Sequence, residues 1–72
     1  MKLENEKLLL NEEEAKIIRQ ANMFADEMYA ATFLRNSFKN HNLLEKLSEE
    51  EQDIKFFVEC IRTYRKKNFE IK

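Results

Sequence analysis

Between Glu12 and Phe38 the chain reads EEEAKIIRQANMFADEMYAATFLRNSF, with no glycine or proline and few β-branched residues. Ile17, Ala21, Phe24, Met28, Ala31 and Phe38 recur at alternating spacings of four and three, and only Arg35 interrupts the series. Side chains at that spacing line one face of a helix. The pattern predicts one long helix over residues 12–38, roughly 39 Å from end to end at about 1.5 Å per residue. A second row of Ile18, Ala25, Tyr29 and Thr32, with Phe33 and Leu34 near its end, makes the face wider than a coiled-coil seam. Such a face suits contact with two or more neighbours.

The ends of the elements are marked by capping residues. Asn11 reads as an N-cap, and Glu14 sits where its carboxylate can return to the cap's backbone N–H. Glu12, Glu13 and Glu14 place negative charge at the positive helix pole. Asn40–His41–Asn42 breaks the pattern, and a short helix is expected over residues 43–47. Ser48 with Glu51 forms a second capping box and opens a main helix over residues 49–67. Ile54, Phe57, Val58, Ile61 and Tyr64 give that helix its apolar side. Residues 1–10 are expected as an extended arm packing Leu8 or Leu10 on the helices, the other reading being a frayed helical turn. Residues 68–72 read either as a frayed end or as a short strand beside residues 7–10. The expected fold is therefore all-α: a single domain over residues 1–72, built as a small helical hairpin or bundle with short extended termini.

Several kinds of chemistry find no residues here. Without glycine there is no Gly-rich phosphate loop and no nucleophile elbow. Cys60, the single cysteine, has no disulfide partner, and no Cys/His set offers four metal ligands. His41, the single histidine, lies between two asparagines in a turn, where a catalytic base would need a nucleophile and an orienting group. Neither Asp26 nor Glu27 begins a Glu-x-x-His pair. The expectation is a protein that is not an enzyme and takes no cofactor, metal or small-molecule substrate. No apolar run is long enough to cross a membrane, and the acidic N-terminal segment does not resemble a secretory signal. A cytoplasmic protein with no membrane partner is expected.

What remains is an apolar surplus. Six Phe, two Tyr, three Met, eight Leu and five Ile are many for about three helices in 72 residues. A chain of this length has a marginal core, for which association with another chain is a common remedy. The sequence thus points to a small helical protein–protein interaction module (an adaptor, inhibitor or regulatory subunit) acting as a homodimer or docked on a protein partner. Phe24, Met28, Tyr29, Phe33 and Phe38 are its candidate contact residues. The alternative is a small nucleic-acid-binding regulator using Arg62, Arg65, Lys66 and Lys67. The net charge of −1 does not demand that reading, and basic residues are favoured in any last helical turn.

Overall fold

The helix expected over 12–38 is two helices, and the termini form a sheet. The structure, a computed structural model describing residues 1–72, runs β1 (Lys2–Glu4), β2 (Lys7–Leu10), α1 (Glu12–Ala21), α2 (Glu27–Asn40), α3 (Ile54–Arg65) and β3 (Phe69–Ile71). Two single turns of 3₁₀ helix, Leu44–Lys46 and Glu50–Gln52, lie between α2 and α3. The fold is α+β, which corrects the all-α expectation: β2 is the centre of a three-stranded mixed sheet, antiparallel to β1 and parallel to β3. The molecule measures 26 × 24 × 21 Å, too short in every direction for a straight helix of the expected length.

The break between α1 and α2 has a local cause. Asp26 takes an extended backbone, and its carboxylate accepts a hydrogen bond from the Tyr29 N–H at 3.0 Å, so α2 starts afresh. The α1 start is as read: Asn11 and Glu14 exchange both bonds of a capping box, at 2.8 and 2.9 Å. Glu14 is buried, and its second carboxylate oxygen accepts from the Met1 ammonium at 2.5 Å. A buried carboxylate costs little only when both oxygens are satisfied in this way.

Ser48 and Glu51 also form their expected box. It opens only a single turn, however. Asp53 is extended and caps α3 through the Lys55 N–H at 3.2 Å, so the second main helix begins at Ile54 rather than at residue 49.

Chain reversals are made without glycine. Asn5 and Glu6, with φ of 53° and 61°, form the two-residue turn of the β1–β2 hairpin. Positive φ at both central residues matches the right-handed strand twist. Asn42 (φ 59°) and Lys67 (φ 61°) end α2 and α3 in the left-handed conformation usual for glycine. At α2 the Leu43 N–H donates back to the Phe38 carbonyl at 2.8 Å, and at α3 the Asn68 N–H donates to Thr63 at 3.2 Å. Each is a Schellman closure, and at α2 the buried Leu43 follows the turn into the core.

The core lies between the helices and one face of the sheet. Leu8 and Leu10 of β2 point inward and are buried, whereas Leu9, flanked by Lys2 and Glu70, faces outward. Ile17 and Ile18 of α1, Leu34 and Phe38 of α2, and Phe57, Cys60 and Ile61 of α3 complete it. Phe38 meets Phe57 edge to face at 5.5 Å, a favoured aromatic geometry. Arg35, the interruption in the stripe, donates to the Gln52 carbonyl at 2.6 Å and so ties α2 to the turn before α3.

Candidate interaction surface

The corner between α1 and α2 departs from the rule that large apolar side chains are covered. Asn22 through Asp26 are all exposed. Met23 is 85% exposed, Tyr29 70%, Met28 56% and Phe24 42%. Phe33 is half-buried, its ring centroid 5.2 Å from that of Phe24. Four of the five candidate contact residues therefore gather at one end of the molecule. Phe38 does not: it has no exposed surface and is a core residue, so it is no contact anchor. Met23 was not singled out in the sequence, because it lies off the stripe. Its position in a break between helices is what exposes it.

The corner is held by polar bonds from α3. The Arg65 guanidinium donates to the Asn22 side-chain oxygen at 2.8 Å, to the Ala25 carbonyl at 3.3 Å and to the Phe24 carbonyl. These oxygens lie where α1 has ended and α2 has not begun, so no helix serves them. Beside it, Arg62 bonds Glu27 at 2.8 Å and Glu59 at 3.0 Å. The hydrogen bond and charge of Glu27 push the Arg62 guanidinium above its already high range. Of the four candidate nucleic-acid residues, Arg62 and Arg65 are thus occupied within the chain. Lys66 and Lys67 are exposed at the end of α3. A phosphate backbone needs several free cations on one surface, and two adjacent lysines supply few.

The remaining chemically active side chains stand apart. His41 is exposed at the end of α2, its Nδ1 2.7 Å from the Ser37 carbonyl. Cys60 is fully buried, and desolvation pushes its thiol far above the usual cysteine range. It has little thiolate with which to react. No three His, Cys, Asp or Glu side chains converge to hold a metal ion. The largest groove, about 380 Å³, opens where Met1, Asn11, Glu14, Leu43 and Lys46 meet. It joins the N-terminal segment to the α2–α3 connection and holds neither His41 nor Cys60. No helix is long and apolar enough to cross a membrane.

No protein-family model, curated protein or solved structure matches this chain.

Proposed function

We propose that this chain is a small protein-binding module, an adaptor, inhibitor or regulatory subunit, that engages its partner through the α1–α2 corner. The observation that carries the reading is the clustering of Met23, Phe24, Met28 and Tyr29, all exposed, around a half-buried Phe33. Large apolar side chains left exposed close together in the chain favour an interaction site. Methionine and aromatic side chains are also the types enriched at interface centres. Arg65 supports the reading from beneath, because it fixes the corner backbone and so limits the ordering cost of binding.

A photo-reactive benzoylphenylalanine at Tyr29, placed in the chain in its own host cell, tests this. A discrete cross-linked adduct is expected from position 29 and not from position 49, where Glu49 is exposed in the α2–α3 connection. No adduct from position 29, or the same adducts from both, overturns the reading.

A further inference from the structure

We infer that the partner at this corner is an acidic protein segment with apolar anchors, its carboxylates meeting Lys16 and Arg19; the inference rests on the binding reading above. Lys16, Arg19 and Gln20 share an open groove with Met23. Lys16, Arg19 and Met23 are exposed and follow one another at spacings of three and four, so they form one row along the outer side of α1 into the corner. On the other side of the corner, Asn22 lines a second groove with Arg65 and Lys67.

The positive charge of these grooves is uncompensated. The ion pairs of the molecule join Met1 to Glu14, Lys2 to Glu4, Lys7 to Glu70, and Arg62 to Glu27 and Glu59. None includes Lys16, Arg19, Arg65 or Lys67. The acceptors of Arg65 are the Asn22 side chain and the Phe24 and Ala25 carbonyls, all neutral. The acidic side chains of the corner are already engaged, Asp26 in capping α2 and Glu27 with Arg62. At the other end of α2 the balance reverses, and Glu45, Glu49, Glu50, Glu51 and Asp53 crowd the connection to α3. A chain of net charge −1 thus sets free cations beside its exposed apolar side chains and its acidic residues elsewhere.

That pairing of charge and apolar surface defines the partner. Opposite charge steers a partner to its site and rejects those of like charge. Carboxylates of the partner meet Lys16 and Arg19, which stand one helical turn apart. Its apolar anchors pack on Met23, Phe24 and Met28, and methionine adapts readily to the shape it meets. A nucleic-acid backbone fits less well, because it offers phosphates rather than apolar groups to these side chains. A bilayer fits less well too, because inserting Met23 and Phe24 would carry the neighbouring Asn22 and Asp26 toward the acyl chains.

Panning a random library of short displayed peptides against the full chain tests the proposal. Enriched peptides are expected to combine Asp or Glu with aromatic or aliphatic residues. The best of them, made synthetically, should bind about 5- to 30-fold more weakly when Lys16→Gln and Arg19→Gln are combined. Its affinity for the unaltered chain should also fall as salt is raised. Lys46→Gln with Lys55→Gln, exposed at the other end of α2 and on α3, should change nothing. All four positions are exposed, and circular dichroism checks that the fold is spared. Enriched peptides without acidic residues, or acidic ones indifferent to salt and to the loss of Lys16 and Arg19, overturn the inference. So does tighter binding to phosphatidylserine vesicles or duplex DNA than to any peptide, or a doubling of the 8.8 kDa mass that excludes the peptides. Neutral peptides whose binding is lost in Tyr29→Ala end the acidic partner and leave the corner standing as a binding site. If no peptide is retained, the inference falls, and the cross-link from position 29 decides whether the binding module falls with it.

Discussion

The two ends of α2 solve the same problem in different ways. At its start, residues 22–26 turn the chain with only Phe24 partly covered, by Phe33, and the turn is held by Asp26 and by the Arg65 guanidinium. At its end, residues 41–53 turn the chain by burying Leu43 and packing Leu44 and Leu47 against the core. Polar bonds secure the first reversal, whereas the second adds apolar burial to its own polar ties, Arg35 to the Gln52 carbonyl and Gln52 to the Leu47 carbonyl. Met23, Met28 and Tyr29 are therefore not needed to hold the corner. Their exposed surface is free for another use, whereas that of the leucines is already spent on folding.

The comparison can be broken by substitution. The largest effect is expected at the buried end: Phe38→Ala should cost about 3–5 kcal/mol. That is comparable to the whole stability of a domain this small, so urea titration should find the variant largely unfolded. Arg65→Ala removes the bonds to the corner and should cost about 1–3 kcal/mol. Amide exchange should speed up most around Tyr29 and Ala30, at the start of α2. If instead exchange rises evenly across the chain, the corner is not held as described. Asn42→Ala places a Cβ-bearing residue without a side-chain amide in the left-handed position at the buried end, and should cost about 1 kcal/mol by urea titration. Met23→Gln should change stability by less than about 0.5 kcal/mol, since its side chain is already in water. A loss as large as that of Phe38→Ala would show that the corner's apolar side chains support the fold after all.

Much of the local structure was legible. Asn11 is the expected cap, Ser48 forms its expected box but on a single turn while Asp53 caps α3, and Ile17, Ala21, Ala31 and Phe38 of the stripe are buried. The break at residues 22–26 was hidden because it hardly disturbs the helical phase. Asn22 keeps helical dihedrals, and the Met23 and Phe24 N–H groups still donate back to Gln20 and Ala21. The signal that could have revealed it is Asp26 itself, a favoured N-cap residue in mid-pattern. Its reach to Tyr29 brings no return carboxylate, so no capping box drew attention to it. The sheet was hidden for a different reason. Pairing of Leu8 with Phe69 joins residues from opposite ends of the chain, and no local periodicity carries that information. At the candidate surface, the stripe placed Phe24, Met28 and Phe38 on one helical face but could not tell which would be exposed. That depends on where α3 lies, and Phe57 of α3 packs on Phe38.

The parallel pairing of β2 with β3 also has a consequence for how the molecule forms. The Leu8 N–H donates to the Asn68 carbonyl and the Lys72 N–H to the Leu10 carbonyl, so each bond closes a loop of nearly the whole chain. Loop closure of that length must be met before the pairing returns any stability. The helical hairpin of α2 and α3 involves much nearer neighbours and can form on its own schedule. Folding should therefore proceed from the middle outward, with the sheet closing last once α3 has carried Phe69 to Leu8. Destabilising substitutions in β3, such as Phe69→Ala, should accordingly speed unfolding far more than they slow folding.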